Sequence, residues 1–217
     1  MTKSLIDTNI IDIFASPVAA YSYNNNDTIK KLIEKTVRQS TESKNDLSDK
    51  LKHYGNERDE SILDLIEYKD LHDWIILCVE NYITDILGYK LQESVVITDS
   101  WINVCDKGGN QSTHYHTNSF VSGTYYVNYE NGHSPLTFND RNQFYSSQPS
   151  ISLEIDHPTR YNCNRVIKPR EGGLLLWQSH LNHGYESNQK DSRISISFNT
   201  IPSYINSGKY GFCITKN

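Results

Sequence analysis

The sequence predicts a mainly β protein with flanking helices, its strands forming a sandwich or a barrel. Near residue 93 the spacing of apolar residues changes from three-and-four to two, the switch from helix to strand. After that point come several short segments rich in β-branched and aromatic residues, separated by turn signals. No helical pattern intervenes between them, which argues against a parallel α/β sheet. At 217 residues the chain suits one domain with a sizeable buried core. The expected organisation is residues 1–92 as an N-terminal strand and helices packed on a core formed by residues 93–217.

The run from Ile10 to Ala20 reads as a short apolar strand interrupted by Pro17. Ile29, Leu32, Ile33 and Val37 recur as on one buried helix face. From Gln39 to Arg58 little is apolar, and an exposed connection is expected. Leu71 to Tyr89 carries Trp74, Ile75, Cys78, Tyr82, Ile83 and Ile86 at helical spacing, with Gly88 as a C-terminal stop. Strands are expected at Ser94–Val104, Gly123–Tyr129, Leu136–Phe138, Leu174–Trp177 and Arg193–Thr200. Asp106–Asn110, Asn131–Gly132, Glu171–Gly173 and Ser187–Gln189 supply the turns between them.

Twenty-six acidic against 21 basic residues give a net charge of −5, which argues against wholesale binding of a phosphate backbone. No apolar run approaches the roughly 20 residues that cross a bilayer. The first residues lack a cationic segment followed by an apolar one, so no signal peptide is expected. Cys78, Cys105, Cys163 and Cys213 are scattered, as free thiols of a reducing cytoplasm would be.

Two groups of histidines carry the chemistry. His114 and His116 stand two residues apart, so on a strand both rings would share a face. A second group, Ser179 to His183, follows the apolar strand Leu174–Trp177. Such a pair with one distant histidine can ligate a divalent metal and leave coordination sites open. An isolated pair would equally suit an exposed strand. Ten residues beyond His183, the run Arg193 to Asn199 alternates polar with apolar. A solvent-facing strand would look the same, but an arginine fork beside the Ser195 hydroxyl also suits a small carboxylate.

Read together, the motifs are more specific. The chain has Trp101-Ile102-Asn103, the glycine turn Gly108-Gly109, His114 to Ser119, and Ser122-Gly123-Thr124-Tyr125-Tyr126-Val127. It continues with Leu136-Thr137-Phe138, Glu171-Gly172, Leu174 to Trp177, Ser179 to His183 and Arg193 to Asn199. Over residues 95–201 this order resembles the small 2-oxoglutarate- and Fe(II)-dependent oxygenases of bacteria and phages.

The resemblance implies a double-stranded β-helix, a jelly-roll or cupin-like barrel of two facing sheets. It implies Fe(II), 2-oxoglutarate as co-substrate and O2, with succinate and CO2 released as a substrate is hydroxylated. The implied metal ligands are His114, His116 and His183, which serve also as the catalytic set. Most of the superfamily has an acidic residue in place of one histidine. If the motif begins at His116, Asn118 takes that position instead; imidazole being the better iron ligand, the first register is preferred. Arg193 and Ser195 would bind the far carboxylate of 2-oxoglutarate. Tyr126, Ser122 and Thr124 would line its pocket, with Asn103 a further polar contact. His133, His157 and His180 are expected to be surface or structural residues, and Trp177 and Phe198 barrel core.

The substrate is left open among a small molecule, a peptide and a nucleotide, as is oligomeric state, a homodimer included. Two other readings stand beside the oxygenase: a cupin-like three-histidine dioxygenase or isomerase that does not use 2-oxoglutarate, and a non-catalytic metal-containing binding module.

Overall fold

The computed structural model describes residues 15–39, 43–45, 48–55, 61–139, 156–157, 159 and 164–216. In chain order the elements begin with β1 (Ala19–Ser22), α1 (Asn26–Gln39), β2 (Ser43–Asn45) and β3 (Ser48–Tyr54). Two single 3-10 turns, Ile62–Asp64 and Ile66–Tyr68, lead into α2 (Lys69–Asn81), which runs on through a π-helical turn, Tyr82–Ile86. Then come β4 (Val95–Cys105), β5 (Gln111–His114), β6 (Val121–Asn128), β7 (Leu136–Asn139), β8 (Arg165–Ile167) and β9 (Gly173–Gln178). The chain closes with β10 (Asn182–Tyr185), β11 (Arg193–Pro202), β12 (Tyr204–Asn206) and β13 (Gly211–Cys213).

Two sheets face each other. The larger has seven strands in the order β1-β9-β6-β11-β4-β3-β2, the smaller four in the order β5-β10-β7-β8, and β12 and β13 form a separate hairpin. Every pairing is antiparallel. This is a double-stranded β-helix, and strand alternation gives its large sheet two unlike faces. Outward, Tyr125, Val127, Leu174, Leu176, Ile196 and Ile102 pack against α1 and α2 in the main core. Inward, Tyr126, Leu175 and Trp177 meet Leu136 and Phe138 of the small sheet in a second cluster.

The helices follow the expected periodicity. Ile29 and Ile33 of α1 and Leu71, Ile75 and Val79 of α2 are almost fully buried. Asn26, at the start of α1, accepts the Tyr125 hydroxyl at 2.6 Å and donates to the Val127 carbonyl at 3.0 Å, pinning the helix to β6. Gly88 adopts φ +73°, the left-handed conformation of a helix stop that glycine takes without strain. No helix among the described residues is long and apolar enough to cross a membrane. Cys78 and Cys105 are buried free thiols, Cys213 is exposed, and Cys163 lies outside the described residues.

Three expectations need correction. The polar stretch Gln39–Arg58 is not merely an exposed connection, because it contains β2 and β3, which extend the large sheet from β4. Main-chain pairing holds this edge, and of the side chains described there only Leu51 and Tyr54 are buried apolar residues, so its hydrophobic signal is weak. The strand expected from Ile10 begins at Ala19, and residues 10–14 lie outside the described residues. Finally, β5 ends at His114, so strand alternation does not set the direction of His116. The segment between Asn139 and Arg170 lies mostly outside the described residues.

Candidate metal centre and co-substrate pocket

A cavity of about 290 Å³ opens between the inward face of the large sheet and the small sheet. Its back wall is the polar face of β11: Arg193, Ser195, Ser197 and Asn199 all line it, as do their β4 neighbours Asp99, Trp101 and Asn103. The alternation that could have faced solvent therefore faces the cavity.

Cross-strand register assembles the histidines. His183 on β10 stands opposite His114 on β5 on one side and Phe138 on β7 on the other. His116 arrives from the loop after β5, fixed by its main-chain N–H to the Ser179 carbonyl at 3.0 Å. Ligating atoms of His114, His116 and His183 lie within 4.8 Å of one another, close enough to hold one metal ion. Asn118 is exposed, at φ +55° in the turn beyond, and does not line the cavity.

The surroundings suit the rings to metal. His114 Nδ1 lies 2.8 Å from the Ser112 carbonyl and His183 Nδ1 2.8 Å from the Leu181 carbonyl. A carbonyl can only accept, so each Nδ1 carries the proton and each Nε2 keeps its lone pair. Burial, and then the neighbouring His114, push His116 down to about 4; burial and the same neighbour push His183 down to about 3. Burial also lowers His114. All three rings are neutral at pH 7. Against His183, the Trp177 ring lies 4.7 Å away, and its buried N–H has no hydrogen-bond partner among the described residues.

At the other end of β11, Arg193 is only 2% exposed. Its Nε donates to the Ser134 carbonyl at 3.1 Å, and Asn188, fully buried, accepts the Ser134 N–H at 2.9 Å. The guanidinium carbon sits 4.1 Å from the Tyr185 ring centroid and 5.2 Å from that of Tyr126. No carboxylate of the described residues pairs with it. A buried cation without an anion is costly unless a ligand supplies one. Burial pushes the Tyr126 hydroxyl up to about 12 and raises Tyr185 further, so both stay neutral phenols. The Tyr126 hydroxyl is buried with no partner among the described residues.

The remaining sequence-selected residues divide. Ser195, Asn103 and Thr124 line the cavity. Asn103 Nδ2 donates to Ser197 Oγ at 2.9 Å, and its Oδ1 accepts the Trp101 N–H at 3.0 Å. Ser122 does not line it, since its hydroxyl is spent on Asn199 Oδ1 at 2.7 Å and Ser179 Oγ at 2.8 Å. His133 is structural, its ring bridging the Glu130 N–H and the Asp191 carbonyl. His157 and His180 are exposed. Trp177 and Phe198 are buried as expected, and both also border the cavity. Sequence reading missed Tyr185, Asp99 and His53 as cavity residues. Tyr185 sits two residues from His183, and Asp99 two from Trp101, so strand alternation could have found both.

The family described as "Putative 2OG-Fe(II) oxygenase" matches residues 99–199. That span runs from Asp99 to Asn199 and includes all three clustered histidines and Arg193. Over that span the chain is similar to the 2OG-Fe(II) oxygenases. Solved structures of such enzymes share the fold. HygX from Streptomyces hygroscopicus, crystallised with nickel, 2-oxoglutarate and hygromycin B, is 9% identical with a TM-score of 0.55, over 87% of this chain and 84% of its own. SnoN, a non-heme alpha ketoglutarate dependent epimerase from nogalamycin biosynthesis, is 10% identical with a TM-score of 0.60, over 87% of this chain and 77% of its own. A prolyl-4-hydroxylase from Pseudomonas putida is 10% identical with a TM-score of 0.52, over 85% and 92%. No curated protein sequence matches the chain.

Proposed function

We propose that this protein is a 2-oxoglutarate-dependent oxygenase, a hydroxylase, that holds Fe(II) through His114, His116 and His183 and anchors 2-oxoglutarate by its far carboxylate on Arg193. The observation that carries the reading is the pairing, in one cavity, of three neutral clustered imidazoles with a buried guanidinium that lacks an anion. When bound, iron and 2-oxoglutarate supply the activation of O2, with release of succinate and CO2.

The chain's own residues do the rest. The carbonyls of Ser112 and Leu181 hold the His114 and His183 rings in the tautomer that offers Nε2. Arg193, aimed by Ser134 and flanked by Tyr185, offers its outer N–H groups to a carboxylate in bidentate fashion. Tyr126 and Ser195 add neutral donors beside it. Trp177, Phe138 and Leu136 form an apolar wall that keeps water away from the metal side. Three neutral ligands leave the metal's full charge in place, which favours an anionic co-substrate.

Hydroxylation is tested with oxygen-18 gas and a metabolite extract. A compound that gains one labelled oxygen with wild-type protein, and not with His183→Ala, is the expected result. A compound altered without oxygen incorporation, as an epimerase would give, contradicts it.

A further inference from the structure

We propose that Asp99 and Trp101 form the recognition site for a cationic group, a protonated amine or guanidinium, on the substrate. The inference rests on the oxygenase reading of the same cavity and concerns the end of it that 2-oxoglutarate leaves free.

Among the described residues lining the cavity, only Arg193 and Asp99 carry a formal charge at neutral pH. Register places them at opposite ends: on β4, Cys105 stands opposite Arg193 and Asp99 opposite Asn199. Six residues of strand separate these rungs, roughly 20 Å. A five-carbon dicarboxylate anchored at Arg193 is far shorter than that, and its own charges would be repelled by Asp99.

The Asp99 carboxylate is held in place and left uncompensated. Thr98 Oγ1 donates to Oδ1 at 2.6 Å, and Asn199 Nδ2 donates to Oδ2 at 2.8 Å. Both donors are neutral, and no lysine or arginine of the described residues forms an ion pair with it. The same Asn199 nitrogen lies 3.4 Å from His116 Nδ1, so the carboxylate is within two hydrogen-bond lengths of the triad. Trp101 is the next inward residue on β4, partly exposed, its ring 6.1 Å from that of His116. Its N–H is spent on Asn103, which leaves the π system as what it offers. A fixed carboxylate beside an indole suits a cation, through a charge-assisted hydrogen bond and a cation–π contact. A cation held there would bring the carbon chain attached to it beside the metal ligands.

Titration calorimetry on protein loaded with Mn(II) and 2-oxoglutarate, and repeated without metal, tests this. The probes are agmatine as a free cation, the blocked peptide Ala-Lys-Ala as a side-chain cation, and the blocked peptide Ala-norleucine-Ala as the neutral control. Agmatine or the lysine peptide should bind, and the tighter of the two identifies the source of the cation. The norleucine peptide should not. Asp99→Asn should weaken cation binding roughly 10- to 100-fold while Mn(II) affinity stays within a few-fold. Trp101→Leu should weaken it to a smaller extent. Cations that bind no better than norleucine, or an Asp99→Asn variant that binds them as well as wild type, overturn the proposal. So does an Asp99→Asn variant that loses metal and keeps agmatine, because the carboxylate would then serve the metal's charge. Failure of Mn(II) or 2-oxoglutarate to bind falls on the oxygenase reading, and the metal-free titration still reads the cation site.

Discussion

His114 and His183 each spend Nδ1 on a carbonyl two residues back, whereas the nearest polar partner of His116 Nδ1 is the Asn199 amide at 3.4 Å. On the proposed ligand set, the first two rings are thus held in the tautomer that offers Nε2 before metal arrives, and the third has freedom to adjust. His183→Ala should accordingly cost most of the Mn(II) or Fe(II) affinity, and unchanged binding in a metal titration would remove it from the ligand set. His116→Asp offers an oxygen donor at similar reach and should retain iron. It should release succinate more slowly than wild type, because its surroundings suit a neutral ring. His116→Ala should bind iron poorly, and Asn118→Ala should matter little. At the far end, Arg193→Ala removes a charge-assisted pair worth about 1.5–3 kcal/mol, so 2-oxoglutarate binding should weaken roughly 10- to 150-fold. Metal affinity should stay nearly intact. Equal 2-oxoglutarate affinity in a direct titration would mean that the carboxylate is held elsewhere.

The element that brings His114 and His183 together is the β5–β10 pair. A methyl group on Gly184 would lie 2.6 Å from the Gln111 carbonyl oxygen and 3.1 Å from the Ser112 backbone. Backbone cannot swing aside as a side chain does, so Gly184→Ala should push β5 off β10 and spread His114 from His183. Weaker Mn(II) binding together with a lower Tm is the expected result; wild-type values for both would show that β5 tolerates the shift. Neither strand was legible beforehand, because each has four residues, β5 has no apolar side chain and β10 has only Tyr185 as a large ring, too little for an alternation to show. The large-sheet strands β4, β6, β9 and β11 were legible because their outward faces bury Ile, Leu, Tyr and Phe against helices. The same alternation exposed Arg193 and Ser195 as a polar face, but it could not say whether that face met water or a cavity. His53 was missed for the reason β3 was: it lies in a polar edge segment whose pairing comes from main chain. His114, His116 and Arg193 were singled out by motif, and long-range register supplied what spacing could not, the approach of His183 to His114.

For the molecule as a whole, the buried histidines cost stability in acid, and a metal held by them would return it. His116 and His183 are pushed down to about 4 and about 3, and His114 is lowered as well. In the unfolded chain a histidine titrates near 6.5. Below that pH the unfolded state binds protons that the folded state refuses, so metal-free protein should lose stability as pH falls from about 6.5 toward 3. Denaturant midpoints across that range check the sign, and a midpoint that rises on acidification contradicts it. On the proposed ligand set metal binds the folded form, so Mn(II) at 100 times its dissociation constant should add about 2.7 kcal/mol at neutral pH. This gain should shrink in acid as protons compete for the same nitrogens.

The most direct measurement is succinate formed from 2-oxoglutarate by purified protein in air, with and without Fe(II), followed by NMR. Wild-type protein with iron should release succinate; without iron, or with His183→Ala, it should release none. Arg193→Ala should need much more 2-oxoglutarate for the same rate. Succinate formed equally by wild type and His183→Ala, or none formed while iron and 2-oxoglutarate are both bound, would contradict the assignment of this cavity as the oxygenase centre.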